Sequence, residues 1–272
     1  MNLSMLQASN TMGQLHHKLD LIGNNMSNMN TPGYKGREAN FASLLSQQVN
    51  NQSDEEAEVN RLTPDGIRVG SGAKLAHTNM DLTQGTMQET DRGLDIALLE
   101  DNHLFQLQVD TEDGPQTQYT RAGNFYLSPT ENDEVMLTDS NGRPVLDENE
   151  EQLTFADNME DINVREDGAI MVTRGGVEEA EGQLGIVEAV RPRMLEAAGE
   201  NRFRLPEGAE AAADEILIGA EAQVQSGRLE SSNVDLAKQM TDMQNAQRAY
   251  EFNSRSISTG DEMMGLVNQL RS

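Results

Sequence analysis

Four histidines, no cysteine and an excess of carboxylates are the side chains of this chain that invite a catalytic or metal-binding reading. His16 and His17 are adjacent, so on a helix they point to different faces and make a poor metal pair. His77 and His103 have no partner at the spacing of a helical H-E-x-x-H site. Acid–base chemistry needs two carboxylates in one enclosed place, whereas pairs such as Asp133-Glu134 and Asp147-Glu148 sit in polar runs of the kind that form solvated faces. No serine occupies a G-x-S-x-G elbow, Gly70-Ser71-Gly72 lacks the rest of a phosphate loop, and no twelve-residue calcium loop is present. The sequence therefore predicts no catalytic, cofactor-binding or metal-binding residue, and no enzyme.

Composition narrows the classes further. The formal net charge of −26 repels phosphate backbones, which argues against nucleic acid as a partner. Lysine occurs only at Lys18, Lys35, Lys74 and Lys238, the other cations being arginine. An acidic, lysine-poor chain suits high salt, where a Debye length of about 3 Å at 1 M screens self-repulsion; an acidic surface that simply aids solubility gives the same composition. The Met1–Met5 start has neither the basic nor the apolar region of a signal peptide. No stretch approaches the ~20 apolar residues of a membrane span, so no direct membrane insertion is expected. With 36% hydrophobic and 4% aromatic residues the core is thin for 272 residues, and part of the apolar surface is expected to be buried against neighbours.

The chemistry that remains is recognition between helices. Met5, Ala8, Met12, Leu15, Leu19, Ile22, Met26 and Met29 recur three and four apart, a heptad seam along one helix face. The spacing predicts a helix through Asn30, roughly 45 Å long, stopped by Asn30-Thr31-Pro32-Gly33. Near the other end, Ser232-Asn233-Val234-Asp235 reads as a capping box. Leu236, Met240, Met243, Ala246, Tyr250, Ile257, Met264 and Val267 follow as a second stripe, interrupted by Gln247, Asn253, Ser254 and Gly260. A long helix with so narrow a stripe gains its stability from packing, so the two ends are expected to seek each other or other copies.

Between them the pattern turns to β. Alternating runs at Phe105–Val109, Ala169–Thr173 and Gly185–Val190 are separated by turn signals at Asp113-Gly114-Pro115, Asn141-Gly142-Arg143-Pro144 and Asp167-Gly168. Residues from about 75 to 222 read as an irregular, mostly antiparallel β domain. A connector precedes it, with a short helix expected through Phe41–Leu45 and then a polar run from Gln47 to Asn60.

Three segments resemble one family. Asn24-Asn25-Met26-Ser27-Asn28-Met29-Asn30-Thr31-Pro32-Gly33-Tyr34-Lys35 is similar to the N-terminal signature of flagellar rod, hook and hook-associated proteins. Ser232–Asp235, followed by Ala246-Gln247-Arg248-Ala249-Tyr250-Glu251 and Asn253-Ser254, resembles the C-terminal one. Gln84-Gly85, Leu94-Asp95-Ile96-Ala97 and Tyr119-Thr120-Arg121-Ala122-Gly123-Asn124-Phe125 resemble the β domain between. The segment Arg61–Gly72 resembles the connector of the distal-rod (FlgG) type, and especially its FlhP-like form in Gram-positive bacteria. Ser27 and Phe252 depart from the usual small residues, and Glu100-Asp101-Asn102-His103 replaces a Gly-rich turn.

The resemblance implies an α+β fold. Residues 1–31 and 232–272 form a coiled-coil polymerisation module, 32–74 a connector, 75–222 the β-rich domain and 223–231 a return linker. It implies a structural subunit of the bacterial basal-body rod, exported without a cleaved signal peptide by the flagellar type III apparatus. Copies of itself, other rod subunits and hook protein are the implied partners. A proximal-rod or hook-assembly accessory of the same axial family, or an acidic soluble binding module, are the alternatives. The assembly interface is expected at Met12, Leu15, Leu19, Ile22, Asn25, Met26, Asn28 and Met29 on the first helix. On the last it is expected at Asn233, Leu236, Met240, Met243, Gln247, Arg248, Tyr250, Asn253, Ile257 and Met264. Without the resemblance, Asn24, Asn25, Asn28 and Asn30 read as a helix C-cap and loop.

Overall fold

The computed structural model describes residues 3–43, 46–49, 67–70, 73–111, 114–130, 134–206, 208 and 213–271. The fold is α+β, with a long helix at either end of an antiparallel β region. Helix α1 spans Leu3–Ser27, a short α2 spans Ala213–Ile216, and α3 spans Leu236–Arg271. No helix among the described residues is long and apolar enough to cross a membrane. The chain divides into two compact units: residues 1–24, 37–79 and 236–272, and residues 25–36 and 80–235.

In the helical unit, α1 runs for 25 residues and α3 for 36, about 38 Å and 54 Å at the helical rise of about 1.5 Å per residue. Met5 packs against Gly260, where a Cβ would lie 3.1 Å from the Met5 Cγ. In the same unit, Lys238 Nζ near the start of α3 donates to Glu38 of the strand Arg37–Ser43 at 2.5 Å. Strand Arg37–Ser43 pairs with Ala73–Met80, and Ser46–Val49 with Ile67–Gly70. The helix expected through Phe41–Leu45 is therefore corrected: Phe41–Ser43 continue a strand, and Leu44 and Leu45 lie outside the described residues. Apolar residues in a three-residue run satisfy either period, and strand pairing decided it. Most of the polar run from Gln47 to Asn60 also lies outside them, as does Arg61–Gly66.

The β unit is built on a six-stranded antiparallel sheet. Its order is Glu196–Gly199, Arg202–Arg204, Gly114–Thr120, His103–Thr111, Ile186–Ala189, Leu217–Gly219. Strand His103–Thr111 lies near the middle and is buried on both faces over its first half. Phe105 and Leu107 enter one apolar cluster with Ile96, Phe125, Leu137 and Ile170. Leu104, one residue out of phase, enters a second with Leu82, Tyr119, Val187 and Phe203. The Phe105 and Phe125 rings meet edge to face, with centroids 5.0 Å apart at 84°.

The unit also holds two three-stranded sheets, one from Tyr126–Pro129, Glu134–Thr138 and Thr154–Ala156, the other from Asp161–Val164, Ala169–Arg174 and Val177–Gln183, and two strand pairs, Ile96–Leu98 with Val224–Ser226 and Met87–Glu89 with Arg228–Glu230. The expected runs at Phe105–Val109, Ala169–Thr173 and Gly185–Val190 are strands or contain them. The turn at Asn141-Gly142 has Gly142 at φ 79°, with the Asp139 carboxylate accepting from the Asn141 and Arg143 amides at 2.8 and 2.9 Å.

Candidate assembly interface and the clasp beneath it

On α1 the expected seam is resolved into two rows. Ala8, Leu15 and Ile22, seven residues apart, are buried, and Met5, Met12, Leu19 and Met26 beside them are half-buried. That is the burial of a helix whose core-facing stripe follows a heptad.

On α3 the rows differ from the apolar stripe. Gln239, Ala246 and Gly260 are buried and Asn253 half-buried at the same seven-residue spacing, flanked by half-buried Met243, Tyr250 and Ile257. Leu236, Met240, Gln247, Arg248 and Met264 are exposed, Met240 at 51%. Gly260 and Asn253 thus interrupt the hydrophobicity of the stripe, not its packing. The large side chain at the contact comes from Met5, so a small residue opposite lets the backbones approach. The seven-residue repeat of small and polar residues from Gln239 was legible, but only to a search that did not demand apolar character. Beyond Gly260, Met263, Leu266, Val267 and Leu270 are exposed, the last at 89%.

The remaining expected residues belong to the β unit itself. Asn25 is buried and accepts from the Tyr34 hydroxyl at 3.1 Å. Asn28 accepts from Thr31 through both its main-chain oxygen, at 3.1 Å, and its side chain, at 3.3 Å. Asn28 thereby takes part in the helix-ending turn, and Met29 beside it is half-buried. Asn233 is a staple: its Oδ1 accepts from Gly36 N at 2.8 Å, and its Nδ2 donates to Asp81 O at 2.8 Å and Thr83 O at 3.1 Å. The capping box expected at Ser232 is corrected. Ser232 Oγ accepts from Val234 N at 3.3 Å, and Asp235 stands immediately before the helix.

Sequence reasoning missed the charges buried in the same unit. Glu230 is buried and gathers Lys35 Nζ at 2.7 Å, Arg121 Nε at 2.5 Å and Gly85 N at 2.7 Å, while its main-chain oxygen accepts from Gly33 N at 2.7 Å. Lys35 Nζ also donates to Leu82 O at 3.0 Å and Thr83 O at 2.7 Å. Arg121 caps the Glu100–His103 loop by donating to the carbonyls of Glu100, Asp101 and His103 at 2.5, 3.1 and 2.7 Å. Asp101 Oδ1 in turn accepts from Gln84 N at 2.9 Å. The acidic loop that replaces a Gly-rich turn is thus tied down on both sides.

Burial pulls the Lys35 ammonium below its usual pKa, opposed by the Glu230 carboxylate beside it. Such a cluster is tolerable only because every charge has close partners. Gly33 completes it with φ 63° and no room for a Cβ, which would lie 2.6 Å from the Arg121 carbonyl.

As for the histidines, His16 Nδ1 lies 3.0 Å from Asp20 Oδ2 on an exposed face of α1. His103 is buried, its pKa lowered chiefly by desolvation, and its Nδ1 has no partner. An open cleft of about 520 Å³ is lined by residues including Tyr119, Glu150 and Arg204, with no histidine or serine among the described residues that line it.

Two of the three signature segments meet at buried Glu230 through Lys35, Gly85 and Arg121, and the chain falls in the flagellar axial class. Family models match in three places: Flagella basal body rod protein over residues 5–35, Flagellar hook protein FlgE/F/G D1 domain over 102–172, and Flagellar basal body rod FlgEFG protein C-terminal over 225–270. The chain is 39% identical to the flagellar hook-basal body complex protein FlhP of Bacillus subtilis, over 98% of this chain and 99% of that one. It is 35% identical to the flagellar basal-body rod protein FlgG of the same organism, over 98% and 99%, and 33% identical to FlgG of Caulobacter vibrioides, over 97% and 98%. The chain belongs to the flagellar basal-body rod protein family, among FlgG-like and FlhP-like members.

Proposed function

We propose that this protein is a structural, non-enzymatic subunit of the bacterial flagellar basal-body rod, polymerising through its terminal helices into the shaft that transmits torque to the hook. The observation that carries the reading is the helical pair. Its seam is packed between α1 and α3 as far as Met5 and Gly260, and α3 then continues for eleven residues with large apolar side chains in the open. A stripe that continues past its intramolecular partner is what a coiled-coil module offers to the next copy. Exposed Leu236 and Met240, with Gln247 and Arg248 on the same helix, are the further contact residues in this reading.

Copies of the chain, neighbouring rod subunits and hook protein are the partners; export by the flagellar type III apparatus brings the chain to the extracytoplasmic basal body. Relatives named as rod protein and as hook-basal body complex protein both support a place in the shaft. Quantitative mass spectrometry of purified hook–basal bodies tests it: enrichment alongside hook protein is expected. Recovery only as a soluble cytoplasmic protein would favour the acidic binding module instead.

A further inference from the structure

We infer that association between copies runs through electrically neutral helices, while the acid-loaded remainder of the chain sets an ionic-strength threshold for it; this rests on the assembly reading above. Helix α1 holds one basic and one acidic residue, Lys18 and Asp20, and α3 holds four of each. Each helix cancels, so the whole net charge of −26 falls on the residues outside them. Composition alone hides this division, because it averages a neutral shaft with an acidic body.

The net charge already counts the cations of the β unit, several of which each cancel carboxylates close by. Lys35 and Arg121 share the buried Glu230, Arg143 faces Asp139 and Glu200, and Arg174 faces Glu181. Carboxylates such as Glu148, Asp157, Glu178 and Glu179 stand exposed. Helix α3 begins at Leu236, directly after the last residue of the β unit, so a contact between copies through the exposed Leu236 and Met240 brings two acidic bodies near each other. Their repulsion reaches across a gap of about a Debye length, which is about 30 Å at 0.01 M salt and about 3 Å at 1 M. The apolar helical contact has no such salt penalty. Low salt therefore opposes association and high salt releases it, with the control lying outside the interface.

Sedimentation velocity of the full-length chain from about 0.01 M to about 1 M NaCl is the test. Association is expected to strengthen by at least about tenfold over that range as the field is screened. The variant carrying Glu148→Gln, Asp157→Asn, Glu178→Gln and Glu179→Gln should reach the same association at about half the salt. Equal salt midpoints in the two proteins would assign the effect to salting-out of apolar surface and overturn the inference. So would association that ignores salt altogether. No association at any salt would sink the assembly reading itself, and this inference with it.

Discussion

The β unit and the helical unit bury their apolar residues in opposite ways. The first encloses Phe105, Phe125, Leu137 and Ile170 with essentially no exposure and ties its chain ends together around Glu230. The second has two long helices, three buried apolar positions on α1, and a terminal segment where Val267 is 63% exposed. The first unit closes its own core. A helical pair with an open stripe is completed by something else. The difference teaches that a closed core and an open apolar stripe are carried by separate parts of one chain.

The hardest way to break that separation is to open the clasp. Glu230→Ala leaves Lys35 and Arg121 buried with no counter-charge, and should destabilise the β unit by about 3–5 kcal/mol, read from its thermal or urea transition. A loss under about 1 kcal/mol would mean water reaches the site and the knot is not what closes the unit. Phe105→Ala should cost the same unit about 3–5 kcal/mol through the cavity left against Phe125.

The seam sharpens the contrast from the other side. Ile22→Asp or Leu19→Asp should abolish incorporation into basal bodies while the β unit melts within about 0.5 kcal/mol of the parent. Normal motility in either variant would remove α1 from the interface.

A smaller effect is expected from acid. The folded β unit holds His103 neutral below the pH at which the unfolded chain binds a proton, near the ordinary pKa of 6.5. The stability it contributes is complete above about pH 6.5 and falls as the pH drops toward its lowered folded pKa, at no more than about 1.4 kcal/mol per unit. In urea titrations from pH 8 to 5, His103→Gln should flatten that decline, and an unchanged slope would place the acid sensitivity elsewhere. Smallest of all, Gly13→Ala should raise helicity by about 1 kcal/mol, since a Cβ there meets nothing within 4 Å. Circular dichroism reads the gain, and a loss of helicity would show that the site is already packed.

Much of this architecture was legible from local pattern. The heptad of α1 told which face is inward and where the helix runs, except that it ends at Ser27 and Asn28–Asn30 form the turn, because 3.6-residue periodicity is written in residue spacing but the end is set by local hydrogen bonding. Strand runs and Gly-containing turns gave the β unit, because alternation and positive φ are local demands. The Phe41 strand, the packed row of Gln239, Asn253 and Gly260, and the exposure of Met240 were misread or missed, since each depends on what lies opposite.

By itself, then, the amino-acid order determined the two helices, the β region between them, the uneven placement of charge and the family. The tertiary structure alone decided that Lys35, Arg121 and Glu230, up to 195 residues apart, meet at one buried point, and that Asn233 staples the chain where α3 begins. Hydrophobic periodicity is a short-range signal that any window of sequence displays. A buried ion cluster depends on three distant segments sharing one low-dielectric space, and no window of sequence contains that distance.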